Sequence, residues 1–168
     1  MNLHPVVVHY PIALLTIYSL LELLRFKKLT QWQRWFFIKA FLLILGSLST
    51  FAALQTGEIA ETLFQPDDRV VRMHENFATA STWIYGILAL SYLIRLLQYF
   101  YATHLAGYKT WPQLVRINQI VFSAPVLILL ALGGLACLLI TGALGGAMVL
   151  GPNSDPVGSF IYSWLIKK

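Results

Sequence analysis

The sequence predicts an all-α integral membrane protein, a four-helix bundle with up-down topology, and three features point to it. The composition is 58% apolar and only 11% charged, against roughly 45–50% apolar and 25% charged residues in soluble domains. Apolar stretches recur that are long enough to cross a bilayer, since ~30 Å of hydrocarbon at ~1.5 Å per residue needs ~20 residues. The charges collect between those stretches. A soluble fold of 168 residues has too little interior to hide so much apolar surface. The excess of 12 basic over 7 acidic residues, a net +5, therefore reads as topology and not as affinity for nucleic acid.

Four spans follow in order, from about Pro5 to Leu24, Phe36 to Thr56, Phe77 to Tyr101, and Ile117 to Leu150. The first carries Glu22 near its end. The fourth is longer than one crossing needs. It either tilts, begins as an interfacial helix near Trp111 and Pro112, or bends around Pro125 and the Gly133, Gly134 pair. The tail 151–168 is apolar and aromatic but too short to span, so an interfacial helix or a partner-docking segment is expected there. No repeat or internal boundary interrupts the chain, and 1–168 is expected to form one transmembrane domain. The first residues carry no Lys or Arg, so the first apolar run is expected to stay as a span and not to be cleaved. Cys137 lies alone inside an apolar run, which excludes an internal disulfide or a paired-cysteine zinc site and makes a buried, inert thiol the expectation.

Loop charge sets the orientation. Arg25, Lys27, Lys28 and Arg34 follow the first span, and Arg95, Lys109 and Arg116 surround the end of the third. Both connections belong on the cytoplasmic side. Glu58, Glu61, Asp67, Asp68 and Glu75 outnumber Arg69 and Arg72 between the second and third spans, which places that connection and both termini outside. Trp32, Trp35, Trp83, Trp111 and Trp164 read as interfacial anchors. Gly46, Ser47 and Ser49 in the second span, and Gly133, Gly134 and Gly142 in the fourth, read as sites of close helix approach.

This topology gathers the unusual residues at one end. His4 and His9 open the first span, Thr56-Gly57-Glu58 closes the second, His74-Glu75 opens the third, and Thr141-Gly142 with Gly145-Gly146 lies late in the fourth. His9 sits about four residues, or ~6 Å, below Pro5 along the helix axis. An N-cap at Asp67 places His74 at a similar depth. Two imidazoles at matched depth on separate helices suit a b-type haem. Gly57, Gly142, Gly145 and Gly146 would clear room for the macrocycle, and Arg69 and Arg72 would pair with its propionates. His9 and His74 are the expected ligands, with His4 as the alternative ligand or a hydrogen-bonded partner of one. Against this stands a plain structural role, in which His4 and His9 bond carbonyls freed by Pro5 and Pro11. Glu58 and Glu61 with the histidines could instead hold a metal through oxygen and nitrogen. His104 is expected to be solvated at the opposite end. No Glu-x-x-His or His-Glu-x-x-His pattern, phosphate-binding loop or dinucleotide fingerprint occurs.

The run His4-Pro5-Val6-Val7-Val8-His9-Tyr10-Pro11-Ile12-Ala13-Leu14-Leu15 resembles the opening HPxxVHFPIALL signature of small bacterial four-helix predicted membrane proteins, a domain of unknown function. The likeness continues through Ala53-Leu54-Gln55-Thr56-Gly57, His74 with Phe77-Ala78, and Thr141-Gly142-Ala143-Leu144-Gly145-Gly146. Members often carry a further His-Gly after the glycine pair, where this chain reads Ala147-Met148. The resemblance implies a multi-pass protein of a bacterial inner membrane. Some relatives look associated with haem-containing cytochrome modules, which implies a redox setting. The expected function is a redox-associated membrane subunit for electron transfer. The rival is a cofactor-free accessory subunit that docks on other membrane subunits or on copies of itself.

Overall fold

The computed structural model describes residues 3–26, 31–64, 67–153 and 156–166, and every regular element among them is a helix. Lys27, Lys28, Pro66, Asp155, Lys167 and Lys168, on which the topology and tail expectations partly rest, lie outside the described residues. In chain order the helices are α1 (His4–Val7), α2 (His9–Leu23), α3 (Gln33–Phe64), α4 (Asp68–Leu105), α5 (Trp111–Val121), α6 (Ala124–Leu150) and α7 (Pro156–Leu165). Four are long and apolar enough to cross a membrane, counting α1 and α2 as one helix, His4–Leu23.

α1 and α2 are separated only by a turn at Val8. Pro11 has no N–H for the carbonyl of Val7, so the ladder loosens there. It resumes with Ile12 N–H donating to Val8 C=O at 3.2 Å. The 32 residues of α3 and 38 of α4 exceed the ~20 that hydrocarbon requires. The acidic connection expected between the second and third spans is therefore mostly helix. Glu58 and Glu61 ride on the last turns of α3, and Asp68, Arg69, Arg72 and Glu75 on the first turns of α4. Asp67 caps α4 as expected, its carboxylate accepting from Arg69 N–H at 2.8 Å.

The overlong fourth stretch resolves into two helices that break at Phe122 and Ser123. The separate helix starting at Trp111 is the arrangement observed, and Pro125 occupies the first turn of α6, where its missing N–H is harmless. α5 is pinned to α4 by a reciprocal pair. Ser91 Oγ donates to Asn118 Oδ1 at 2.6 Å and Asn118 Nδ2 donates to Ser91 C=O at 3.1 Å. The tail helix α7 folds back on the bundle, where Ile161, Tyr162, Leu165 and Ile166 meet Val70, Leu144 and Met148.

The long helices enclose a core of Leu15, Tyr18, Ala40, Leu43, Tyr85, Leu88, Tyr92, Leu127 and Leu138. Its three tyrosines are fully buried, and Tyr18 meets Tyr85 and Tyr92 edge to face at 6.3 and 5.8 Å between ring centroids. Tyr85 Oη and Ser19 Oγ share a hydrogen bond of 2.8 Å. Glu22, 1% exposed, accepts from Arg25 at 2.9 Å, from Lys39 at 2.8 Å and from Tyr92 Oη at 2.7 Å. The close helix approaches expected of glycine fall at Gly46 and Gly134. A Cβ on Gly134 would lie 2.8 Å from Tyr85 Cζ, and one on Gly46 2.8 Å from Leu15 Cγ. At Gly142 and Gly146 a Cβ would meet nothing within 4 Å.

Two predictions follow from this packing. Gly134→Ala should destabilise the detergent-solubilised protein by about 1–3 kcal/mol, read by thermal or denaturant unfolding, while Gly142→Ala leaves stability at or above the native level. Equal stability of the two variants would refute close packing at Gly134. Lys39→Met should cost about 3–5 kcal/mol by stripping a cation from a buried carboxylate. The double variant Glu22→Gln/Lys39→Met should recover part of that loss, and simple additivity of the two changes would show that the pair is not coupled.

Candidate functional site

Helical phase decides which polar side chains enter the bundle. The buried positions of α2 are Pro11, Leu15, Tyr18, Ser19 and Glu22, a stripe that recurs with the period of about 3.6 residues per turn. Carried back from Pro11, it reaches His4 across nearly two turns. His9 stands half a turn out of phase, and its ring is exposed with Nδ1 against the carbonyl oxygen of Pro5. On α4 the buried residues Val70, Ser81, Tyr85 and Tyr92 are in phase with His74, which is half-buried.

His4 and His74 consequently line one cavity of about 980 Å³ at the end of the bundle where α1 and α4 begin. α3 contributes Thr50, Ala53, Leu54, Gly57, Glu58 and Glu61, and α6 contributes Leu138, Thr141, Gly145, Met148 and Val149. Pro5, Val8, Pro11 and Ile12 complete an apolar wall, and Glu75, Ser81 and Thr82 add polar groups from α4. Each histidine packs on a glycine of a neighbouring helix. A Cβ on Gly57 would be 3.3 Å from His4 Cε1, and one on Gly145 would be 3.3 Å from His74 Cε1.

Hydrogen bonds hold both rings at Nδ1. His74 Nδ1 lies 2.9 Å from the carbonyl oxygen of Thr141, which can only accept, so Nδ1 carries the proton. His4 Nδ1 lies 3.0 Å from Thr56 Oγ1. The Thr56 hydroxyl also reaches the carbonyls of Ala52 at 2.9 Å and Ala53 at 3.1 Å, so it ties the His4 ring to the last turns of α3. In the neutral form the His74 ring then carries its lone pair on Nε2, the state of a metal-ligating histidine oriented through its other nitrogen.

The structure thus brings together His4, His74, Gly57 and Gly145, and sets the other expected site residues apart. His9 does not line the cavity. Arg69 and Arg72 are exposed on the first turns of α4 and do not line it either. Gly142 and Gly146 face open space. His104 is exposed at the far end of α4. No group of three or more His, Cys, Asp or Glu side chains able to hold a metal ion occurs among the described residues. Sequence reasoning placed His9 by depth and did not weigh phase, and it grouped Thr56 and Thr141 with the histidines without giving them a bonding role. The spacing of Pro11, Leu15, Tyr18 and Glu22 was the signal that selects His4.

Four candidate spans, and polar groups gathered in a cavity among them, define a multi-pass membrane protein. The chain belongs to the predicted membrane protein family DUF2231, whose pattern matches residues 1–153. No curated protein and no solved structure matches it.

Proposed function

We propose that the protein is a redox subunit of a bacterial inner membrane that holds a b-type haem between His4 and His74. The observation that carries this reading is that two imidazoles from different helices, each held at Nδ1, one by Thr56 and one by the Thr141 carbonyl, line one cavity. A bare cation would need about three or four protein ligands, and no such cluster occurs among the described residues. A porphyrin brings four nitrogens of its own and asks the protein only for two axial imidazoles. The cavity of about 980 Å³ lies at the upper end of the volumes typical of small-molecule and cofactor sites. The bound group would supply one-electron chemistry. The chain would supply ligation, burial and electrostatic tuning. Glu58, Glu61 and Glu75 share the cavity, so the propionates of a bound haem would meet like charges there that only solvent would screen. Arg69 and Arg72 stand beyond the wall, as their exposure implies.

Haem content of the purified protein and its variants tests this. Native protein, reconstituted with hemin if purified empty, should show a Soret band and a reducible α band. His4→Ala and His74→Ala should each lower haem content by more than half, and Thr56→Val should disturb the spectrum through His4. His9→Ala and His104→Ala should leave it intact. A colourless native protein that fails to take up hemin removes the reading and leaves the accessory subunit. Gly142 and Gly146 on the open side of α6 would then be its contact for a partner helix.

The same reading puts both termini and the histidine cavity on the outer side. The basic residues Arg25, Arg34, Lys39, Arg95, Lys109 and Arg116 all belong to the opposite end of the bundle. Reporter fusions after Lys109 should read cytoplasmic, and fusions at Pro66 and at Lys168 external. The reverse pattern would place the haem at the cytoplasmic face.

A further inference from the structure

A second cavity, of about 200 Å³, lies at the opposite end of the bundle, where α2 ends and α3 begins. Arg25, Lys39, Glu22, Trp35, Tyr92 and Phe122 are among the side chains that line it. Its charges do not balance. Arg25 and Lys39 bring two cations against the single carboxylate of Glu22. One donor of Arg25 and one of Lys39 go to Glu22, and a guanidinium has five N–H donors and an ammonium three. Trp35 Nε1 is buried with no hydrogen-bond partner among the described residues. A buried, unsatisfied indole N–H is costly, and here it lines a cavity with surplus positive charge. The missing partner is therefore an oxygen acceptor with about one negative charge.

We propose that this cavity binds the phosphodiester headgroup of an anionic phospholipid. The neighbouring chain ends favour a lipid over a free ion. Leu24 lines the cavity and is 40% exposed, so apolar surface adjoins the charged pocket on the flank of the bundle where acyl chains run. Basic pockets between transmembrane helices bind anionic headgroups on the same physical grounds. The phosphodiester accepts from Trp35 Nε1 and from the remaining donors of Arg25 and Lys39. Glu22 keeps its own three partners and holds the cations in place. The site is independent of the histidine cavity and of any haem.

The test is lipid retention by the delipidated full-length protein, read by native mass spectrometry against matched phosphatidylglycerol and phosphatidylcholine. Trp35→Phe removes the N–H and keeps the ring, and Arg25→Gln removes the more exposed of the two cations. Native protein should prefer phosphatidylglycerol, and each variant should bind it about tenfold more weakly with unchanged phosphatidylcholine binding. Trp35→Phe should leave lipid-free unfolding unchanged, whereas Arg25→Gln, which withdraws a donor from buried Glu22, should lower lipid-free stability. Equal retention of the two lipids by native protein would overturn the proposal. So would native-level phosphatidylglycerol binding in Trp35→Phe together with Arg25→Gln. Displacement of the lipid by millimolar inorganic phosphate would assign the pocket to a soluble anion and overturn the lipid assignment.

Discussion

Hydrocarbon offers no hydrogen bonds, so the carboxylate of Glu22 is tolerated inside the bundle only because donors converge on it from its own helix end and two neighbours. Arg25 comes from the chain just past α2, Lys39 from α3 and Tyr92 from α4. Removing any one would leave charge or polarity without compensation in a medium that cannot supply it. The contact therefore fixes the rotation of three helices about their axes. Aromatic packing extends that grip, with Phe36 stacked on Tyr92 at 5.4 Å and Phe122 against Tyr92 at 5.0 Å. α5 and α6 are drawn in through Phe122, which sits at the break between them.

Once the phase of α2 is set at Glu22, it is set at the other end. The stripe of Glu22, Ser19, Tyr18, Leu15 and Pro11 continues to His4, and on α4 Tyr92, Tyr85 and Ser81 continue to His74. The faces that satisfy a carboxylate at one end bring two imidazoles into one cavity at the other. Gly134 and Gly46 let the helices approach along the middle, where Tyr85 and Leu15 occupy the space a side chain would need. Gly57 and Gly145 repeat the device at the histidines, so each ring is held between a hydrogen bond at Nδ1 and a glycine face.

The four spans were legible because length and hydropathy alone define what can cross a bilayer, and the cap at Asp67 because it depends on neighbours in sequence. The position of His74 near the start of α4 was legible for the same local reason. His9 stands outside the cavity that His74 lines, because depth along an axis is only one of two cylindrical coordinates. Rotation is set by tertiary contacts, which here begin at Glu22. That residue was visible as an acid inside an apolar run, but its partners Lys39 and Tyr92 are remote in sequence and no local pattern links them. The acidic stretch after Thr56 looked like a loop because its composition is that of a wet segment. An exposed helix has the same composition, and nothing between Gly57 and Phe64 breaks one.

The two ends of the bundle also differ in sign, and this bears on what each can hold. At the Glu22 end cations exceed the carboxylate, whereas at the histidine end Glu58, Glu61 and Glu75 line the cavity and the nearby Arg69 and Arg72 are turned out to solvent. A ferric porphyrin with two neutral imidazoles carries one more positive charge than the ferrous form. Carboxylates beside it stabilise the oxidised state and lower its reduction potential. Burial among Pro5, Val8, Pro11 and Ile12 acts the other way, because an apolar wall disfavours the more highly charged state. Water at the mouth screens the carboxylates, but the wall cannot be screened. In a haem held by both imidazoles, as proposed, the two effects would oppose each other, and the depth of the iron between apolar wall and acidic rim would set its potential.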